Sequence, residues 1–479
     1  MVKNETDKMN TGTEAVSESE KQREFMSLVK ALNAEAAKKK GRDLTACVVT
    51  FGCQMNERDS EKLKGILKEC GYTLTGSEDA DLVLFNTCTV RENANDRLYG
   101  RLGALGRMKK TRPDMIVGVC GCMTQEADEV ERLEKSYPFT DMIFGTFNVY
   151  KLAEILYSRL TTGSRITDIW QESRDFVELL PTERKYPFKS GVNIMYGCDN
   201  FCTYCIVPFV RGREKSRGSD EIVEEVRRLV NDGVVEVMLL GQNVNSYGKG
   251  LDEDISFSEL LKKLEGIEGL KRIRFMTSHP KDLSDDLIGA MAASEKICRH
   301  IHLPLQSGST NILKRMNRGY SKEDYLELIR KIREKMPDIS ITTDIIVGFP
   351  GENEADFAET IDVVRKAGFD SAFTFIYSKR TGTPAANFED LPSKEDTDRR
   401  FNRLLEEIKE AGKDRTEFLV GSTVEVLVEG VNTHDEGFLT GRMSNNLIVH
   451  FPGNKDHIGK FVDVKITESK GFYYFGTEV

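Results

Sequence analysis

The chain has no apolar run approaching the ~18 residues that a membrane-spanning helix needs, so no span is expected. It opens Met1-Val2-Lys3-Asn4-Glu5-Thr6 and stays polar, so no secretory leader is expected either. Histidine is scarce, six residues in 479, and none lies near the densest group of cysteines. There is no basic excess: the formal net charge is −10. That neither indicates nor excludes nucleic acid, because phosphate binding needs a local basic surface rather than a basic whole.

What is present describes a globular protein of about three domains, with 39% hydrophobic and 30% charged residues. Ten cysteines without a leader point to a reducing compartment, the cytoplasm, where thiols serve metals or catalysis rather than disulfides.

Three of the ten fall within eight residues: Cys198-Asp199-Asn200-Phe201-Cys202-Thr203-Tyr204-Cys205. Thiolates are soft ligands that select zinc, copper(I) or iron–sulfur clusters. A structural zinc site closes with four protein ligands, and here there are three. A cubane cluster on three cysteines keeps one iron open to a small molecule. Zinc or unligated core cysteines are the bland alternatives.

Residues 1–43 carry few large apolar side chains, so the first twenty or so are expected to be disordered. Phe25, Leu28 and Leu32 suggest a helix ending near Gly41. From Leu44 strands alternate with helices. The runs Thr45–Phe51, Leu82–Phe85 and Met115–Val119 end in Gly52-Cys53, Asn86-Thr87-Cys88 and Gly121-Cys122. Near-continuous apolar strands belong to a parallel sheet covered on both faces. Cys53, Cys88 and Cys122 recur at 35- and 34-residue spacing, one per βαβ unit. All three should lie past the carboxyl ends of their strands, where open α/β sheets bind ligands. They are read as a second three-thiolate cluster site. Cys47, Cys70 and Cys298 are assigned to packing, and Cys120 is the competitor to Cys122.

After an irregular connection at about 148–183, six strand-like runs (Val192–Met195, Val235–Leu240, Ile273–Met276, Ile301–Leu305, Ile339–Val347, Ala372–Tyr377) alternate with helices, arguing for a partial (β/α) barrel. The Cys198–Cys205 loop and the stretches Gly241–Asn245, Thr277–Pro280, Gln306–Ser309 and Gly348–Glu352 should share one rim. Gln242, Asn243, Ser278, Gln306 and Gly348 are the candidate contacts there for a small polar ligand. Beyond a charged helix from Lys394 to about Phe418, five short strands separated by turns read as a small β-barrel. From Glu417 onward it has nine acidic and five basic residues, without the basic footprint usual for RNA binding. Basic residues cluster instead at Arg211, Arg213, Lys215 and Arg217, and at Lys314, Arg315 and Arg318, as phosphate contacts or as solvated surface.

Cys-x3-Cys-x2-Cys resembles the signature of the radical S-adenosylmethionine (SAM) enzymes. The whole of residues 44–479 resembles the methylthiotransferase family among them, through Thr50-Phe51-Gly52-Cys53-Gln54-Met55-Asn56, Asn86-Thr87-Cys88-Thr89-Val90-Arg91 and Gly121-Cys122. The run Phe201–Pro208 with Arg211–Arg217, Leu240–Gly248 and Ser278–Asp282 resemble the MiaB type. One departure is Lys379 and Thr381 where that family usually has proline.

The resemblance implies an N-terminal methylthiotransferase domain (44–162) with an open parallel α/β sheet and an auxiliary cluster. A radical SAM core (184–414) with a partial (β/α)6 barrel and a TRAM β-barrel (417–479) follow. It implies two 4Fe-4S clusters, on Cys198, Cys202 and Cys205 and on Cys53, Cys88 and Cys122, with SAM as cosubstrate at the first. It further implies a tRNA substrate, an electron donor such as flavodoxin or ferredoxin, and a monomer. The activity implied is 2-methylthiolation of N6-isopentenyladenosine next to the anticodon. The alternatives are a sibling acting on threonylcarbamoyladenosine or on a ribosomal-protein aspartate, and a non-catalytic RNA-binding protein with structural metal sites.

Overall fold

A computed structural model describes residues 11–89, 93–172, 177–178 and 180–479. They form two compact units, one within Met1–Lys185 together with Ile206–Arg213, the other Tyr186–Cys205 together with Glu214–Val479.

The first unit is built on a six-stranded parallel sheet. Its strands are β1 (Thr45–Thr50), β2 (Thr73–Leu74), β3 (Leu82–Thr87), β4 (Ile116–Gly121), β5 (Met142–Phe144) and β6 (Ile166–Asp168), in the order β2-β1-β3-β4-β5-β6. Every residue of β3 and β4 is buried. Leu82 and Leu84 join one apolar cluster and Val83 and Phe85 another, which is why these runs lack alternation. The sequence shows only β1, β3 and β4; the other three strands are two or three residues long, too short for a pattern.

The N-terminal segment differs from expectation. Residues 1–10 lie outside the described residues, as do Val90 and Arg91, but a helix spans Thr11–Lys40 and ends at Gly41 (φ +67°). Its inward stripe is Gln22, Met26, Val29 and Asn33 rather than Phe25, Leu28 and Leu32. Two polar members conceal it. Gln22 bonds Glu154 at 3.0 Å, and Asn33 donates to the Cys70 carbonyl at 2.9 Å.

In the second unit β7 (Lys189–Asn193), a short hairpin of β8 (Met195–Tyr196) and β9 (Lys215–Ser216), then β10 (Glu236–Leu240), β11 (Arg272–Phe275), β12 (His300–His302), β13 (Ser340–Val347) and β14 (Ser371–Ile376) follow in chain order. The six barrel strands are all parallel to their partners. They hydrogen-bond as two triplets, β7-β10-β11 and β12-β13-β14, and one apolar cluster runs through both.

The C-terminal strands β15 (Thr423–Val431), β16 (Phe438–Met443), β17 (Ile448–Pro452), β18 (Phe461–Ser469) and β19 (Tyr473–Glu478) close into a barrel, β15-β16-β17-β19-β18, around Val426, Leu439, Val449, Phe451, Val464 and Tyr474. Arginines of β11 grip it. Arg272 donates to the Arg442 carbonyl (2.9 Å) and to Glu425, and Arg274 donates to the Met443 (2.7 Å) and Ser444 (3.0 Å) carbonyls. Buried Glu236 neutralises Arg274 at 2.9 Å. Arg442, near the end of β16, bonds Glu429 and the Asn446 carbonyl.

Replacing Arg274 by Met removes two charge-assisted bonds and strands Glu236. Urea unfolding should show about 3 kcal/mol of destabilisation, partly recovered by adding Glu236→Gln.

Candidate functional site

In the first unit β1, β3 and β4 are neighbours in register, with Thr50 beside Asn86 and Thr87 beside Gly121. The cysteines that follow each strand are therefore brought to one edge. The approach is close. Gly52 has φ +116°, and a methyl there would lie 2.3 Å from Cys88 Cβ; Gly121 has φ +104°, and a methyl would lie 2.4 Å from the Thr87 carbonyl. Both positions demand glycine.

Asn56 is the clamp. Its Nδ2 donates to the carbonyls of Phe51 (2.9 Å) and Thr87 (2.7 Å), while Oδ1 lies 3.8 Å from Cys53 Sγ and 3.9 Å from Cys122 Sγ. Burial pushes the Cys122 thiol up to about 12, against the opposing pull of Arg211. A dry thiol of this kind stays neutral unless a metal or a nearby cation stabilises its thiolate. Cys47, Cys70 and Cys120 are likewise buried, in strands or apolar packing, whereas Cys298, expected to serve packing, is buried beside Arg274, Glu236 and Ser444 instead of in an apolar cluster; burial raises each thiol.

In the second unit the Cys198–Cys205 loop follows β8. Thr203 pins it through its amide to the Met316 carbonyl (3.0 Å) and its hydroxyl to the Arg315 carbonyl (2.9 Å). Side chains donate to its sulfurs, Asn200 Nδ2 to Cys198 (3.4 Å) and Arg318 Nη1 to Cys202 (3.3 Å). Such donors suit thiolates that share their charge with a cluster.

Among the described residues no three His, Cys, Asp or Glu side chains converge on a single ion. A tetrahedral ion with sulfur at about 2.3 Å needs thiolates in mutual contact. A cubane gives each thiolate a different iron, and all-cysteine trios without histidine are the soft donor set such a cluster takes.

The predicted rim is tied to this loop. Thr277 donates to the Gly241 carbonyl (2.7 Å), Asn243 to Asp282 (2.7 Å) and Lys281 to Asn200 (2.8 Å). Arg318 also reaches the Pro304 carbonyl, and Tyr204 stacks edge-on against Phe349. Gln306 continues the β12 ladder onto Asp344 and Ile346, and the Gly348 amide donates to Glu352. Gln242 is half-buried on the same edge. Among the described residues, non-glycine positive φ occurs at Phe201, Thr277, Gln306, Asn317 and Asn446. Four of these five lie on this edge, the concentration of strain typical of ligand sites. Ser278 Oγ, Asn243 Oδ1 and both polar atoms of Asn245 are buried without a hydrogen-bond partner, an unspent capacity for a polar ligand.

Sequence reasoning missed a cleft of about 320 Å³ lined by Asp199, Asn200, Glu214, Lys249, Gly250 and Lys281. None of the five predicted contacts lines it. Its residues come from four separate stretches with no shared motif.

The basic clusters also need correction. Arg211, Arg217 and Arg318 are neither phosphate contacts nor solvated; all three are buried. Arg217 is spent on Glu225 (2.7 Å) and the Asn193 carbonyl (2.6 Å). Arg315 pairs with Asp390, and Arg213, Lys215 and Lys314 are exposed.

Residues 45–145 match the "Uncharacterized protein family UPF0004", 192–364 the radical SAM superfamily and 417–479 the TRAM domain. The tRNA-2-methylthio-N(6)-dimethylallyladenosine synthase of Lachnoclostridium phytofermentans is 60% identical over 451 residues, 94% of this chain and 99% of that protein. The chain belongs to the methylthiotransferase family of radical SAM enzymes. Proteins of the same name from Acetivibrio thermocellus (51% over 460 residues, 96% of each chain) and Clostridium tetani (51% over 436 residues, 91% of this chain and 96% of that protein) agree. The radical SAM methyltransferase TsrM from Kitasatospora setae, solved with cobalamin and a [4Fe-4S] cluster, shares the fold at TM-score 0.50 and 15% identity, over 72% of this chain and 74% of its own. Radical SAM membership carries a 4Fe-4S cluster and SAM with it. No described helix is long and apolar enough to cross a membrane.

Glu352, beside Gly348, is buried, and desolvation pushes its carboxyl up to about 7 despite Arg400. The folded state then binds more protons than the unfolded chain between about 4.5 and 7, so this contribution is present at low pH and lost as pH rises through that window. Urea midpoints should fall by about 2–3 kcal/mol equivalent between pH 5 and 8, and Glu352→Gln should remove that component.

Proposed function

We propose that this methylthiotransferase replaces the C2 hydrogen of N6-dimethylallyladenosine in tRNA by a methylthio group. The observation that carries the reading is 60% identity across 94% of the chain to a synthase named for that product. The named relatives favour this reading over the threonylcarbamoyladenosine and ribosomal-protein siblings, and the radical SAM match favours it over a non-catalytic RNA-binding protein.

Cys198, Cys202 and Cys205 are the proposed ligands of the cluster that binds SAM, and Cys53, Cys88 and Cys122 those of an auxiliary cluster. When bound, the first supplies the electron that cleaves SAM to a carbon radical and the second supplies sulfur, a route needed because C2 of adenine has neither an acidic proton nor a leaving group.

The chain's own residues do the placing. Arg318 and Asn200 hold Cys202 and Cys198 by donation to sulfur. His279 is neutral, burial and Arg318 pushing it down to about 2. Its Nδ1 accepts from the Lys281 amide at 3.2 Å, which leaves Nε2–H as a buried donor for a polar ligand. Asn243 and Ser278 offer further unspent polar atoms. Gln242, Gln306 and Gly348 complete the proposed SAM contacts.

The TRAM barrel offers an aromatic surface in place of a basic one. Phe438, His450, Tyr473 and Phe475 pack ring to ring, with Tyr473 exposed. Unpaired bases stack on such rings with little demand for charge. Domains at 44–162, 184–414 and 417–479, a flavodoxin or ferredoxin donor, a cytoplasmic address and a monomeric state complete the proposal.

Cys198→Ala should abolish release of 5′-deoxyadenosine from SAM in anaerobic assays. Cys122→Ala should keep that release and yield no methylthio nucleoside in digested tRNA by mass spectrometry. Methylthio product from Cys122→Ala contradicts the assignment.

A further inference from the structure

Arg211 occupies an unusual place. The chain contributes Ile206–Arg213 to the first unit directly after Cys205. Within it the turn Val207–Val210 is anchored by Thr146, whose hydroxyl donates to the Val210 carbonyl at 2.8 Å, and by packing of Ile206 and Val210 with Cys122. Gly212 follows with φ +76°, turning the chain against Phe147. The Arg211 side chain is thereby buried at 4% exposure.

All edges of its guanidinium are used. Nε donates to Cys122 Sγ at 3.2 Å, Nη1 pairs with Asp59 at 2.9 Å and Nη2 donates to Asn56 Oδ1 at 2.7 Å. Asn56 in turn holds the carbonyls preceding the Cys53 and Cys88 loops. A plain ion pair with Asp59 would need one edge only. The Nε edge is committed to sulfur, in the planar geometry that only arginine supplies.

We infer that Arg211 is a positioning residue for the Cys53, Cys88 and Cys122 trio, whose guanidinium, donating to the Cys122 sulfur, raises the reduction potential of the cluster held there. The inference rests on the two-trio reading above. A fixed cation and a hydrogen bond at a thiolate sulfur favour the reduced cluster, which carries one more negative charge. The electron comes from the external donor, and no bond to the protein forms or breaks.

The test is an electron-paramagnetic-resonance-monitored reductive titration with dithionite. It uses the full chain in a Cys198→Ala, Cys202→Ala, Cys205→Ala background, which leaves only the auxiliary cluster. Arg211→Gln should weaken reduction at least tenfold in equilibrium constant, about 59 mV for one electron. Arg211→Lys, which keeps the charge without the fork, should fall between. Potentials equal to that of the Arg211 parent overturn the inference, as does loss of iron from both variants, which makes Arg211 a structural brace. A parent that binds no cluster sinks the two-trio reading, and the inference with it.

Discussion

Adjacency in a parallel sheet is the constraint on which the first unit turns. β1, β3 and β4 leave the sheet side by side, and right-handed crossovers bring every exit to the same edge. Residues 35 and 34 positions apart thus become neighbours without any local motif joining them. The cost is steric: the exits crowd, and Gly52 and Gly121 answer by carrying no side chain where Cys88 and the Thr87 carbonyl press in. Asn56 then satisfies two of the crowded carbonyls.

Both cysteine trios meet the same electrostatic problem. Sulfur that carries negative charge away from water needs donors, and each trio has a buried arginine at hydrogen-bond distance, Arg211 at Cys122 and Arg318 at Cys202. Burying a guanidinium is itself expensive. Arg211 is balanced by Asp59, and Arg318 by the Pro304 carbonyl and the Tyr320 hydroxyl. The arginines are therefore buried against the cysteines and are not surface charge.

The placement of Cys53, Cys88 and Cys122 after neighbouring strands was legible because their spacing matched the period of the fold, and the strands β1, β3, β4 and β10–β14 because extended apolar runs alternate there with helices. The arginines were not. Arg211, Arg217 and Arg318 read as basic clusters, since sequence shows charge but not the distant partners that hold them inside: Asp59 and Cys122 for Arg211, Glu225 and the Asn193 carbonyl for Arg217, Cys202 and the Pro304 carbonyl for Arg318. The stripe of the first helix was misread for the converse reason: Gln22 and Asn33 face inward because their partners, Glu154 and the Cys70 carbonyl, lie far away in sequence. The cleft beside Asp199 has the same origin, assembled from residues that only the tertiary fold collects.

The account stands on each trio holding its own cluster, and iron stoichiometry tests that most directly. Chain purified and reconstituted without oxygen should contain about eight irons and as much acid-labile sulfide. Replacing either trio by alanine should leave about four. About four in the parent, or no loss on replacing Cys53, Cys88 and Cys122, would contradict it.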